Sequence, residues 1–370
     1  MRVGVVLEQC LSPVPGGTGR YSAEIAEALA ATAGPDDSVG GWTAWHRATE
    51  DARVPGVDGP RRLPLPRRAL VTAWERVALP RPRGVDVVHA PTLLAPLGGL
   101  APVVVTVHDA VPWTHPETLT ARGVRWHRRS MERASVLAAA VVVPTEAVAH
   151  ELTRYVHLHC PLVVVGEGVS GRLALPPDHA ARLAALGVVP GGYLLTTATL
   201  EPRKGLDVLV AALAVPGAPD LPLVVAGSPG WGGVDLARLG ADAGLSSSRI
   251  RALGRVSDED LAALLHGASA LVVPSRAEGF GLPVLEGMAA GVPVVTSDAA
   301  ALVEVGGGAT AVVPVGNAEA LAATLARVAA DGELRRDLIC RGHQRAEDFS
   351  WSGAATRLWS LYRDVRDASS

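Results

Sequence analysis

Short apolar runs alternate with helical stretches along this chain; the alternation stops once and then begins again. Residues 2–7 form an apolar run fit for a strand buried on both faces. A loop with Pro13, Pro15, Gly16, Gly17 and Gly19 follows, then a helical stretch near 20–32. Further apolar runs lie at 85–88, 103–107, 140–143 and 162–165, with helical patterns between several of them. This is the pattern of a doubly wound parallel sheet. It breaks over 170–192, where Pro176, Pro177, Pro190, Gly191 and Gly192 fall. The pattern then predicts strands at 193–196, 222–226, 270–273 and 292–296 and helices at 205–214, 258–266 and 283–290. The α/β reading is two Rossmann-like domains of about 170 residues each with a cleft between them, 1–170 and 171–351. A helical pattern through Trp351, Leu358, Trp359, Leu361 and Tyr362 predicts a terminal helix, within 352–370, packing back on the first domain.

Composition removes several function classes. The net charge is -3, from 34 basic and 37 acidic residues, which argues against bulk binding to nucleic acid. Hydrophobic residues make up 48% and charged residues 19%, which argues against disorder. Cys10, Cys160 and Cys340 are too few and too far apart for a disulfide framework or a zinc site. The apolar run at 1–7 is too short for a signal peptide, and runs such as 136–143 fall below the roughly 18 residues that span a bilayer. A cytoplasmic location is expected.

Chemistry concentrates in PSRAEGFGLPVLE at 274–286. A predicted strand ends at Val273, a loop with glycines follows, and a helix starts with proline near its first position. Backbone N–H groups at such a start suit a phosphate or sugar oxygen. Gly279 and Gly281 let backbone approach a ligand without a Cβ. Glu278 and Glu286 are placed to accept hydrogen bonds from sugar hydroxyls; the alternative puts Glu278 in solvent and makes Glu286 a dipole partner near the helix start.

These residues resemble glycosyltransferase family 4, whose Glu-x7-Glu signature appears here as EGFGLPVLE. Matching pieces run in the family's order: PGGTGRY at 15–21, VTVHD at 105–109, VVPTEAVAHEL at 142–152, LEPRKGLDVLVAAL at 200–213, LGRVSDEDLAALL at 253–265 and FSW at 349–351. The resemblance implies a GT-B fold and retaining transfer from a nucleotide diphosphate sugar (GDP-, UDP- or dTDP-linked). It implies no tightly bound cofactor and no metal. It places Gly16 and Gly17 at the donor phosphates and acceptor, and His108 on the donor sugar. Asp109 either orients His108 or caps a turn. Lys204 aligns with the family's diphosphate lysine. The arginine that many members carry a few residues earlier is replaced by Thr197 and Ala198, which leaves Arg203 as the second cation. Backbone near Val256 contacts the base, Glu286 the ribose and Glu278 the transferred sugar, with Gly279, Phe280, Gly281 and Leu282 lining the donor site.

Lys204 is the one lysine among 34 basic residues. A compact ammonium fits a diphosphate pocket that a planar guanidinium would crowd. Asp258, Glu259 and Asp260 formally match a metal-binding DxD motif, but after Ser257 they read as helix caps. Residues 61–84 carry seven arginines (61, 62, 67, 68, 76, 81 and 83) against Glu75, interleaved with Leu63, Leu65, Leu70, Val71, Trp74, Val77 and Leu79. This reads either as a basic surface loop or as a patch for the inner face of a membrane.

The expected activity is hexosyl transfer, mannose- or rhamnose-like, to a sugar, lipid-linked or small-molecule acceptor. The alternatives are a sugar phosphorylase with pyridoxal phosphate on Lys204, a nucleotide-sugar epimerase, and a non-catalytic nucleotide-sugar-binding protein.

Overall fold

The computed structural model describes residues 1–369. The chain divides into two compact units. Unit 1 holds Met1–Pro116, Thr120–Gly168 and the chain from Ser350 onward; unit 2 holds Glu117–Leu119 and Val169–Phe349.

Unit 1 is built on seven parallel strands: β1 (Arg2–Val6), β2 (Ser38–Thr43), β3 (Asp58–Arg62), β4 (Val87–Ala90), β5 (Val103–Thr106), β6 (Ala140–Val143) and β7 (Leu162–Val164). Their order is β3-β2-β1-β4-β5-β6-β7. Strands β4, β5 and β6 are buried along their whole length. Helices cover both faces of such a sheet, so these strands read as unbroken apolar runs. In register, Val3 faces Val87 and Val88 faces Val103. Strands β2 and β3 escape the apolar pattern. The first carries Gly40 and Gly41, and the second is DGPRR on the sheet edge, where proline costs no ladder bond.

Unit 2 repeats the plan with six parallel strands: β8 (Leu194–Thr197), β9 (Leu223–Ala226), β10 (Ile250–Gly254), β11 (Ala270–Val273), β12 (Val294–Ser297) and β13 (Ala311–Val313), ordered β10-β9-β8-β11-β12-β13. The core gathers β-branched strand residues such as Val225, Val272 and Val295 against Leu206, Leu209 and Leu325 of the covering helices.

Three helices decide what reaches the site. The first runs Gly16–Ala31, so Gly16 and Gly17 form its first turn instead of the loop expected before residue 20. The helix Leu282–Ala289 follows β11, with Pro283 as its second residue. The terminal helix Trp351–Asp367 belongs to unit 1 and packs on the first helix, where Trp359 Nε1 donates to Leu29 O at 3.1 Å. Ser350 caps it by accepting from Gly353 N.

Segment 61–84 does not form one amphipathic face. Leu63, Leu70 and Trp74 sink into the unit 1 core and Leu65 and Val71 pack against it, which leaves Val77 and Leu79 exposed. The helix here is limited to Arg67–Trp74. Among the described residues, no helix is long and apolar enough to cross a membrane.

Candidate active site

In open parallel sheets, ligands bind beyond the carboxyl ends of the strands where strand order reverses direction. In unit 2 that point lies between β8 and β11, and the charged candidates sit there. Arg203 and Lys204 occupy a single 3-10 turn, Pro202–Lys204, beyond β8. Glu278 lies on the loop beyond β11. The two loops are stitched together: Arg276 N donates to Arg203 O at 2.7 Å, and Arg276 Nη1 reaches Pro202 O at 2.7 Å and Asp207 Oδ1 at 2.8 Å. Gly205 (φ 65°) permits the approach, because a Cβ there would stand 2.1 Å from Pro274 O.

Glu278 gathers both cations. Lys204 Nζ donates to its Oε1 at 2.6 Å and Arg203 Nη1 to its Oε2 at 3.1 Å, while Ser275 Oγ donates to Oε1 at 2.7 Å. Arg203 also donates to Glu201 Oε2 at 3.1 Å and to Ala277 O at 3.3 Å. The side chains are largely withdrawn from water, with Glu278 7% and Lys204 13% exposed. Burial alone would raise the Glu278 pKa. Lys204 and Arg203, with the hydrogen bonds from Lys204 and Ser275, outweigh burial and hold it at about 2. The Lys204 pKa is lowered, first by burial and then by Arg203, against the pull of Glu278. Glu201 is raised, mainly by burial and against its cationic neighbours. An ammonium has three donors, so Lys204 keeps N–H groups for an anionic oxygen while Glu278 fixes the positions of both cations.

The rest of the motif is structural support and lining. Gly281 (φ 94°) forms the N-cap of Leu282–Ala289, where a Cβ would meet Leu302 Cδ2 at 2.5 Å. Phe280 is buried edge-on to Phe349, with centroids 5.6 Å apart, and Gly279 and Leu282 are buried beside it. Glu286 is buried in the middle of the helix. Val256 is half-buried in the loop between β10 and the helix Asp258–Gly267. Ser257 Oγ accepts from Asp260 N at 3.1 Å, and Asp260 Oδ1 accepts from Arg182 at 2.8 Å, so Asp260 is engaged in the helix cap and in an ion pair.

In unit 1 the reversal lies between β1 and β4. Gly16 and Gly17 are exposed at the start of the first helix, which has no side-chain cap. His108 follows β5. Its Nε2 donates to Pro91 O at 2.8 Å, beyond β4, and its Nδ1 lies 3.8 Å from Glu167 Oε1. The carboxylate beside the His108 ring is thus Glu167, whereas Asp109 Oδ1 accepts from Val111 N at 3.1 Å and caps a turn.

A neutral hydrogen-bond chain runs beneath His108. The Tyr21 ring meets it edge-on, with centroids 4.7 Å apart. Tyr21 OH bonds Thr106 Oγ1 at 3.2 Å, Thr106 Oγ1 bonds His89 Nε2 at 2.9 Å, and His89 Nδ1 bonds the hydroxyl of Tyr362 on the terminal helix. Burial, then the neighbouring His108, pushes the His89 pKa down to about 3, so its ring is neutral at working pH. Burial raises the Tyr21 and Tyr362 hydroxyls. Sequence reasoning did not find Ser275, Glu201, Glu167 or this chain. Glu201 and Ser275 sit within motifs already singled out; the chain joins positions far apart in sequence and leaves no local signal.

Residues 190–345 match the family model described as glycosyl transferases group 1, and residues 15–170 match that of glycosyltransferase family 4. The O-antigen chain mannosyltransferase B of Escherichia coli is 29% identical over 281 residues, which cover 74% of this chain and 73% of that protein. The structure of sucrose-phosphate synthase from Thermosynechococcus elongatus matches with a TM-score of 0.79 at 22% identity, covering 100% of both chains. That of Anabaena HepE in complex with UDP and glucose matches with a TM-score of 0.75 at 19% identity, covering 98% of this chain and 100% of the other. At these identities the two structures bear on the fold alone.

Proposed function

This chain belongs to glycosyltransferase family 4, and from that premise we propose that it moves a hexosyl group, mannose- or rhamnose-like, from a nucleotide diphosphate sugar to an acceptor hydroxyl with retention at the anomeric carbon. The observation that carries the reading is the pairing of Lys204 and Arg203 on Glu278 beyond β8 and β11. A departing nucleoside diphosphate gains negative charge as its bond to the sugar breaks. Cations already fixed in a site shielded from water stabilise that charge with little reorganisation. We assign the nucleotide to unit 2, with backbone near Val256 at the base and Glu286 at the ribose. We assign the acceptor to unit 1, with His108 toward the transferred sugar and Gly16 and Gly17 toward the donor phosphates and the acceptor. In the step we favour, the bond from the anomeric carbon to the phosphate oxygen breaks and the acceptor oxygen bonds to the same face. The acceptor's proton passes to the departing phosphate oxygen.

The mannosyltransferase relative favours a mannose-type donor, and the UDP-bound Anabaena protein supplies the competing nucleotide. Turnover of GDP-mannose, UDP-glucose and dTDP-rhamnose by the purified chain, with the product anomer read by NMR, tests the reading. Inversion at the anomeric carbon, or no Lys204-dependent turnover of any donor, would overturn it. With most apolar residues of 61–84 turned inward, membrane contact there rests on Val77, Leu79 and the arginines; co-sedimentation with anionic vesicles checks it.

A further inference from the structure

Unit 1 holds a second charged cluster that the reading above leaves unused. Glu8 lies just beyond β1 and its side chain is 1% exposed. A carboxylate so buried requires partners. Its Oε2 accepts from Ala44 N at 2.8 Å and its Oε1 from His46 Nε2 at 2.9 Å, both residues lying beyond β2. Arg67, at the first position of the helix after β3, brings Nε to 3.9 Å from Glu8 Oε1. Loops from three neighbouring strands thus converge on one carboxylate at the ligand-binding end of the sheet.

Arg67 is the unusual member. At 3.9 Å its contact with Glu8 is an ion pair without a hydrogen bond. Its Nη1 is shielded from water and has no partner, although the side chain as a whole is 35% exposed. A shielded donor left unmade is costly, and the guanidinium fork matches phosphate and carboxylate oxygens. His46, 25% exposed, commits Nε2 to Glu8; among the described residues no hydrogen bond reaches its Nδ1. Arg62 donates to Arg47 O, which adds further positive charge beside His46. This surplus of cations over the single Glu8 favours a dianion over a monoanion.

We infer that Glu8, His46 and Arg67 form a subsite for a phosphate group carried by the acceptor, with Glu8 holding the imidazole and guanidinium in place. The inference rests on the assignment of the acceptor to unit 1. Strands lie about 4.8 Å apart, so the loops after β1, β2 and β3, two to four strands from β5, stand about 10–19 Å from His108. The near end of that span suits a phosphate one or two sugar rings from the reacting hydroxyl.

Inorganic phosphate titrated calorimetrically into the full chain carrying Lys204→Ala isolates this subsite from the proposed donor cation. Binding is expected, and adding Arg67→Gln should weaken it about tenfold. Equal affinity with and without Arg67→Gln, or no binding to the Lys204→Ala chain, overturns the inference. Should the glutamine variant fail to fold, Arg67→Lys is read instead: weaker binding supports the fork, and unchanged binding overturns it. In transfer assays with the otherwise unaltered chain, Arg67→Gln should raise KM for a sugar phosphate or lipid-linked sugar phosphate more than for the unphosphorylated sugar. Either phosphorylated source supports the subsite, and the lower KM names it. A chain that binds phosphate through Arg67 yet transfers no sugar keeps the subsite and refutes the reaction. A chain that transfers sugar with no change in KM after Arg67→Gln keeps the reaction and refutes the subsite.

Discussion

The two units solve the same problem with opposite materials. Beyond β8 and β11, unit 2 fixes its polar groups with charge: two cations share one carboxylate, and Ser275 supplies a further hydrogen bond. Beneath His108, unit 1 uses a neutral chain of two tyrosines, a threonine and an imidazole, all buried. A charged cluster presents strong donors to a ligand, but it fails badly when one member goes. A neutral chain binds little by itself; it fixes the packing of its neighbours, and each of its links is worth less.

Glu278→Ala should break the charged cluster most severely. It leaves Lys204 beside Arg203 in a shielded site with their shared counter-ion gone, a loss of about 3 kcal/mol. Urea unfolding can assign the loss to a unit. Seven of the eight tryptophans lie in unit 1 and only Trp231 in unit 2, so fluorescence follows unit 1 while far-UV circular dichroism follows both. The shift should appear by dichroism and leave the main fluorescence transition in place; a shift in fluorescence alone would contradict it.

Lys204→Ala comes next. Turnover should fall on the order of 10²-fold, about 2.7 kcal/mol of transition-state stabilisation. Lys204→Arg sharpens the test. Recovered turnover would mean that charge alone matters; continued loss would show that the compact ammonium is required.

What the sequence revealed follows the same division. The unit 2 cluster lies on two short contiguous segments, 200–205 and 274–286, so Arg203, Lys204 and Glu278 could be named before any fold was known, while Glu201 and Ser275 beside them stand out only through their contacts. The unit 1 chain draws on Tyr21, His89, Thr106 and Tyr362, and no periodicity or spacing links them. Strand detection shows a parallel contrast. Interior strands such as β5 and β11 are buried throughout and read as apolar runs, whereas β3, β10 and β13 lie on sheet edges and β2 is interrupted by glycines. An edge strand faces water on one side, so nothing forces an apolar run.

The pH dependence of stability separates the two regions further. His89 has a folded pKa of about 3 against an ordinary 6.5, so below pH 6.5 the unfolded chain takes up a proton that the folded chain refuses. Its contribution is whole above pH 6.5 and declines as the pH falls toward 3. Glu278, lowered from 4.5 to about 2, contributes fully above pH 4.5 and is lost as the pH falls through 2. Of the two, only His89 acts between pH 6.5 and 4.5, with a slope of roughly 1.4 kcal/mol per pH unit. Fluorescence-monitored unfolding should show that slope, and His89→Leu should flatten it. An unchanged slope in the variant would remove His89 as its source.

The smallest effect tests whether the neutral chain is a connected unit or a set of incidental contacts. Tyr362→Phe keeps the ring against Trp359 and removes only the hydroxyl that reaches His89 Nδ1. That nitrogen is fully buried, so water cannot replace the lost partner. The cost should be about 1 kcal/mol, seen as an earlier fluorescence transition. Tyr21→Phe removes a hydroxyl at the other end of the same chain, bonded to Thr106. If the four groups act together, the double variant should lose less than the sum of the two single losses, because the first break already uncouples the second. Strict additivity would mean that the links are independent. The terminal helix would then be tied to the sheet by local contacts, and the contrast with the charge-coupled cluster of unit 2 would rest on charge alone.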